Sequence, residues 1–393
     1  MGAVLGRFLY LNIIGGGVIL RFPDFCLERW QSLREYRVKI NLAESGVYPL
    51  TLGELGIEIP SDLSLGYAMT KGLVQLRDAI IDMYGGLGLT RENVLVTNGT
   101  SEANLLAILS LIGRSDEVIV QMPNYMQIYG LLKAINAKVR EWWLKPSEEF
   151  KPSIDDLNKL IGKNTKAIFI SNPNNPTGKS LNSRDLKKIA EVAGENDVFL
   201  VFDEVYRGLE LVYSYTPSIL EHYDLDKAIV TSGLSKVYGL PGIRVGWMIS
   251  SRKIVNKAWS IKDYTTISTS TLSSYIALKV LQPSTMGRLI ERARRIVRGN
   301  LLVFKSAISS ENLLSYIEPD AGAYILVKIN LPINTLKLAE KIYREKSVLV
   351  NPGKCFNIPG YFRIGLGGLQ EELSLGVNMI IETLQNYAKE SSN

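Results

Sequence analysis

The sequence predicts an α/β protein of two units, the larger built on a mostly parallel sheet and the smaller of mixed α+β character. Three observations lead there. At 393 residues the chain exceeds the roughly 250–300 at which a single hydrophobic core stops growing. Between about residues 93 and 250, short apolar runs rich in β-branched residues alternate with longer amphipathic stretches. That is the pattern of strands joined by crossover helices covering both faces of a sheet. After residue 285 the character changes to a long charged helix followed by short mixed elements.

The expected strands of the larger unit are Val94–Thr97, Glu117–Gln121, Ala137–Trp143, Ala167–Ser171, Val198–Asp203, Ala228–Thr231 and Arg244–Ser250. Near-continuous apolar runs such as Phe199–Phe202 fit strands buried on both faces. The expected helices are Ser101–Ile112, Asn124–Ile135, Ser153–Ile161 and Ser183–Ala193. In the smaller unit a helix from Arg288 leads to a strand at Ala321–Lys328, a helix, strands near Val348 and at Tyr361–Ile364, and a terminal helix from Glu371. The chain divides accordingly into an amino-terminal extension (1–20), a segment joining the small domain (21–48), a large domain (49–285) and a small domain (286–393). With no linker rich in Pro or Ser, the two domains should pack closely, and the cleft between them is the default ligand site.

Composition narrows the function classes. Hydrophobic residues at 46% and charged residues at 21% describe an ordinary folded, soluble protein. The net charge of +6 is spread along the chain without a basic run, so nucleic acid is not expected as a partner. Cys26 and Cys355 stand far apart without metal-ligand or redox spacing, so neither a disulfide nor a zinc site is expected, and a reducing cytoplasm fits. His222 lies in a polar stretch with no second histidine and reads as surface. The run Phe8–Leu20 is apolar but broken by three glycines, and it falls short of the ~20 residues that span a bilayer. It lacks an obvious cleavage site and reads as an extension, with the ordered protein beginning near Arg21. No membrane partner is expected.

Ligands of open α/β sheets bind outside the carboxyl ends of the strands, and four such loops carry polar groups. Thr97-Asn98-Gly99-Thr100-Ser101-Glu102-Ala103 opens a helix whose free N–H groups and dipole suit a phosphate, although Thr and Ser are also ordinary caps. Ser171-Asn172-Pro173-Asn174-Asn175-Pro176-Thr177-Gly178 is a stiffened loop with three asparagines. Asp203-Glu204-Val205-Tyr206 puts an acid at the mouth of a buried sheet, where it needs a cationic partner. Finally, Ser235-Lys236 is followed eight positions after the lysine by Arg244, between glycines.

The order and spacing of these four motifs resemble those of the fold-type-I, class I/II (aspartate aminotransferase-like) aminotransferases over about residues 40–385. The resemblance implies a pyridoxal-5′-phosphate (PLP) enzyme with a mixed, mostly parallel seven-stranded sheet sandwiched by helices. It implies that Lys236 carries the cofactor as an aldimine and then shuttles the substrate proton, chemistry that requires a primary amine. Asp203 resembles the partner of the protonated ring nitrogen, Asn175 and Tyr206 the pair on the ring 3′-oxygen, and Tyr125 the aromatic that stacks on the ring. Gly99, Thr100, Ser101, Ser235 and Arg244 resemble the phosphate cradle; Gly233 stands where the family often has a serine, one phosphate contact fewer. Tyr67 resembles the tyrosine that reaches the phosphate of a neighbouring subunit, which implies a homodimer. Arg363 resembles the fork that clamps the substrate α-carboxylate, with Gly46 and Asn175 on the substrate side.

The reaction so implied is ping-pong transfer of an amino group from an L-amino acid to a 2-oxo acid. β-Elimination, cyclisation or oxidation of an amino acid is the alternative, because motifs do not encode substrate pose. The segment Asn41–Val47 departs from the family, and its Glu44 reads either as recognition of a cationic side chain or as a helix-capping carboxylate. A non-catalytic PLP-binding regulator finds no support, since no winged-helix pattern precedes the first motif.

Overall fold

The computed structural model describes residues 20–212 and 214–392. The expected amino-terminal extension lies almost wholly outside the described residues.

Seven strands form the main sheet: β1 (Val94–Thr97), β2 (Glu117–Met122), β3 (Lys138–Trp143), β4 (Thr165–Ser171), β5 (Phe199–Asp203), β6 (Ala228–Gly233) and β7 (Gly246–Ile249). Their spatial order is β1-β7-β6-β5-β4-β2-β3. All neighbours are parallel except β7, which runs antiparallel to both β1 and β6. The sheet is therefore mixed and mostly parallel, the α/β class the sequence predicts.

Alternation along the strands sorts the apolar side chains into two cores. Val94, Val96, Ile168, Ile170, Leu200 and Phe202 face one side, while Leu95, Ala167, Phe169, Val201 and Met248 face the other. Both sets are buried because helices cover both faces, and each large apolar side chain so buried contributes roughly 1.5–3 kcal/mol. Helix Thr100–Leu111 lies deepest, with Ala103, Leu106, Ala107 and Ile108 inaccessible to solvent.

A second sheet is antiparallel throughout, ordered Asn351–Pro352, Tyr361–Gly365, Tyr324–Ile329, Leu314–Tyr316. Helix Pro283–Ile308 begins five residues before the Arg288 expected, because Pro283 at its first position is preset for a helix. The short strand Ile40–Asn41 pairs parallel with Val348–Leu349, so the amino-terminal segment joins this second sheet's neighbourhood.

Three expectations need correction. Cys26 and Cys355 form a disulfide with Cα atoms 5.1 Å apart. Their separation in sequence concealed this, because helix Cys26–Ser32 is brought to residue 355 by Trp30 Nε1 donating to the Val350 carbonyl at 2.8 Å. The bond also removes the cysteine argument for a reducing compartment. The helix expected from Asn124 starts only at Gln127, since Met126 holds the left-handed φ of +78°. The strand expected from Arg244 starts at Gly246, since Arg244 itself has φ +51°. Among the described residues, no helix is long and apolar enough to cross a membrane.

Candidate active site

The register of the main sheet aligns Ser171 with Asp203 and Asp203 with Thr231, so three polar residues stand abreast at its carboxyl edge. A cavity of about 320 Å³ opens there. Thr100, Ser101, Ser235 and Arg244 line one part of it, and Asn175, Asp203, Tyr206, Tyr125 and Lys236 another. The sheet topology thus brings together residues as distant in sequence as Thr100 and Arg244, 144 positions apart.

Asp203 is 9% exposed, and burial pushes its carboxyl above the ordinary range. Hydrogen bonds from Asn104 Nδ2 at 2.9 Å and from the Val205 N–H at 3.1 Å oppose that rise, as does the charge of Lys236. Asn104 also accepts from the Thr231 hydroxyl at 2.6 Å. Asparagine 104 escaped the sequence reading. The available signal was a lone amide at i+4 from Thr100, next to the apolar run Leu105–Leu109, which puts the two on one face.

The Asn175 amide donates to Tyr206 Oη at 3.3 Å, and its carbonyl oxygen accepts from Arg363 Nη1 at 2.9 Å. Arg363 is 1% exposed and donates its Nη2 to the Ala43 carbonyl at 2.6 Å, while its Nε has no partner. Burial lowers the guanidinium below its ordinary value, opposed by the charge of Glu44 and by nearby phenols. The loop carrying Asn175 is fixed from beneath: Gln121 accepts from Asn174 Nδ2 at 3.1 Å, and Tyr324 Oη donates to the Asn174 carbonyl at 2.9 Å.

Gly46 packs against the lysine, where a Cβ would stand 3.2 Å from Lys236 Cα, and the Val47 N–H donates to the Lys236 carbonyl at 3.2 Å. Tyr125 donates its hydroxyl to Glu28, and burial together with that carboxylate pushes the phenol well above its usual range. Glu28, on the amino-terminal helix, is a second cavity residue the sequence reading missed. Tyr67 stands apart from this cavity and is 88% exposed.

Two features fit a phosphate-bearing ring. Thr100 Oγ1 is buried without a partner at the mouth of a twelve-residue helix. Gly99 has φ +81°, and any Cβ there would fall 2.5 Å from Arg244 Nη2, so the glycine lets the guanidinium close on that helix end. Gly233 is equally constrained: a Cβ would meet Thr100 Oγ1 at 2.6 Å, so the position has no room for the serine common in the family.

A lysine, an aspartate and an anion cradle on this sheet define the class: a PLP-dependent enzyme of the aminotransferase fold. The chain belongs to the aminotransferase class I and II family, whose model matches residues 61–380. It is 30% identical over 376 residues to capreomycidine synthase of Streptomyces vinaceus, covering 93% of this chain and 95% of that protein. It is 27% identical over 325 residues to an aspartate aminotransferase of Thermotoga maritima, covering 81% and 84%. A PLP-dependent aminotransferase of Streptococcus suis 89-1591 superposes with a TM-score of 0.87 at 32% identity, covering 93% of this chain and 99% of that one.

Proposed function

We propose that this protein is an aminotransferase that moves an amino group from an L-amino acid to a 2-oxo acid in a ping-pong exchange, with Lys236 as the residue that holds PLP and relays the substrate proton. The observation that carries this reading is the convergence of Lys236, Asp203, Asn175 and Tyr206 with the Thr100–Arg244 cradle on one cavity. When bound, the cofactor supplies the electron sink for the bond broken at the substrate α-carbon.

Each residue has a part in that proposal. Asp203 keeps the ring nitrogen protonated, and Asn104 orients Asp203. Asn175 and Tyr206 would present donors to the ring oxygen, and Tyr125, lining the same cavity, would stack on the ring. Thr100, Ser101, Ser235 and Arg244 would hold the phosphate by charge-assisted hydrogen bonds, with Gly99 giving the left-handed bend that lets the Arg244 guanidinium approach. Arg363, bonded to Asn175 at the cavity edge, is the proposed partner of the substrate carboxylate, with Asn175 and Gly46 on the substrate side. Two copies form the active unit, with Tyr67 crossing to the partner, in keeping with its exposure. The functional units are residues 49–285 and 286–393, joined through 21–48.

A second reading, cyclisation or elimination with return of the cofactor, rests on the similarity to capreomycidine synthase. Stoichiometric enzyme mixed with single amino acids separates the two. Lasting loss of the visible chromophore with release of one 2-oxo acid supports transamination; recovery of the chromophore with free ammonia or a cyclised product overturns it. Borohydride treatment of the holoenzyme should leave a modified peptide containing Lys236, and its absence there would remove the enzymatic reading altogether.

A further inference from the structure

The Cys26–Cys355 bridge stands beside the cofactor cavity. Both half-cystines line an adjoining cavity of about 600 Å³ together with Glu28, Ser101, Tyr125 and Gln127, and those four line the cofactor cavity as well. Cys26 is exposed and Cys355 is 3% exposed, so the bridge runs from the surface into the interior.

The two residues that brace Tyr125 flank Cys26. Phe25 meets the Tyr125 ring in an edge arrangement, centroids 5.1 Å apart, and Glu28 accepts the hydrogen bond from Tyr125 Oη. Tyr125 lies outside any helix or strand, between β2 and the helix Gln127–Ala134 and next to Met126 with its left-handed φ of +78°. The position of its ring is therefore set by these contacts from the amino-terminal segment.

The amino-terminal segment is itself fastened unevenly. Residues 20–25, leading into the helix Cys26–Ser32, lie outside any helix or strand. The far end of the helix is docked without help from the bridge. Trp30 Nε1 donates to the Val350 carbonyl at 2.8 Å, Gln31 Nε2 donates to the Ala43 carbonyl at 2.7 Å, and just beyond the helix Arg34 pairs with Glu340 at 2.9 Å. Opening the bridge frees the near end, which carries Phe25 and Glu28, while the far end stays in place.

We infer that Cys26–Cys355 is a redox latch on the cofactor site. Closed, it holds Phe25 and Glu28 against Tyr125; opened by a dithiol, it releases that brace and loosens the grip on the cofactor. The inference rests on the proposed place of Tyr125 against the ring and adds regulation to that site.

The chemistry is thiol–disulfide exchange. A thiolate of the dithiol attacks Cys26 Sγ, the sulfur–sulfur bond breaks, and Cys355 Sγ leaves as a thiolate that takes up a proton. The second thiol of the reductant then attacks its own sulfur in the mixed disulfide and expels Cys26. Two electrons and two protons pass to the protein, and the dithiol departs as a cyclic disulfide.

The test uses the PLP-loaded full-length protein, first as the air-oxidised form and then after dithiothreitol treatment with the thiol removed under argon. Equilibrium dialysis should show PLP held at least about fivefold more weakly by the reduced form, the effect of one hydrogen bond and one aromatic contact, with recovery on reoxidation. Hydrogen exchange should rise over residues 24–29 on reduction and change little beyond Trp30. Phe25→Ala/Glu28→Ala, with the bridge intact, should bind PLP as weakly as the reduced protein and lose little more on reduction. A bridge that only staples the chain predicts a lower melting temperature on reduction with equal PLP affinity, and that result overturns the latch. So does the finding of two free thiols before reduction, or a redox effect of full size in Phe25→Ala/Glu28→Ala. Each of these leaves the aminotransferase reading in place. If Tyr125→Ala binds PLP as the parent protein does, the place given to Tyr125 fails, and the latch with it.

Discussion

Asn104 Nδ2 donates to Asp203 Oδ2 across 2.9 Å, while Asn104 Oδ1 accepts from the Thr231 hydroxyl at 2.6 Å. A single amide therefore bridges a buried carboxylate and the end of the neighbouring strand, and it serves as donor to one and acceptor to the other.

Replacing Asn104 by Ala leaves both Asp203 and Thr231 short of a partner in a buried setting. The expected loss of stability is about 1–3 kcal/mol, read as a lowered denaturant midpoint with unchanged slope. Asn104→Asp should be worse, because it sets a second carboxylate against the first.

Gly99→Ala combines a left-handed backbone at φ +81° with a Cβ 2.5 Å from Arg244 Nη2. The strain in the backbone alone costs about 1–2 kcal/mol. Displacement of the guanidinium should weaken PLP retention by roughly tenfold, a loss typical of one charge-assisted contact. Equilibrium dialysis against PLP, with circular dichroism to check folding, gives the comparison.

Glu204 predicts a pH effect of definite sign. Buried beside Asp203, it accepts from the Ser218 hydroxyl at 2.7 Å, its Oε2 has no partner, and burial raises the carboxyl to about 7. Between its ordinary value and about 7, the folded protein keeps a proton that the unfolded chain releases. Stability therefore falls as pH rises through that window and levels off above it, by roughly 3 kcal/mol at most. Urea unfolding at several pH values should show this fall in the wild type relative to Glu204→Gln.

Cys26→Ser tests the disulfide. Loss of a native bridge typically costs about 2–5 kcal/mol, so the variant should melt at lower temperature and lose its response to dithiothreitol. Because helix Cys26–Ser32 also carries Glu28, the Tyr125 environment should change as well, visible in tyrosine absorbance.

The main sheet was legible because doubly buried strands are apolar throughout, and the loops after them carry the polar groups that stand out against that background. Phe199–Phe202 followed by Asp203 shows the contrast most plainly. Strand ends were harder: the left-handed backbone at Arg244 and Met126 delays the elements that follow, and neither residue type announces such a conformation. The Cys26–Cys355 pair was hidden because proximity across 329 residues is a tertiary property. Glu28 was hidden for the same reason, since only the docking of its helix brings it to Tyr125. Asn104 has a local signal, but a buried amide beside an apolar run becomes meaningful only once the strand ends beneath it are known.

The bond between positions 26 and 355 closes the intervening polypeptide into a covalent hoop. A single protease nick at an accessible turn within the hoop, such as that around Leu87, would leave one covalent molecule that runs as two fragments only after reduction. The same closure brings distant stretches of chain side by side, so new termini opened inside the hoop would still belong to a joined molecule, a favourable starting point for circular permutation.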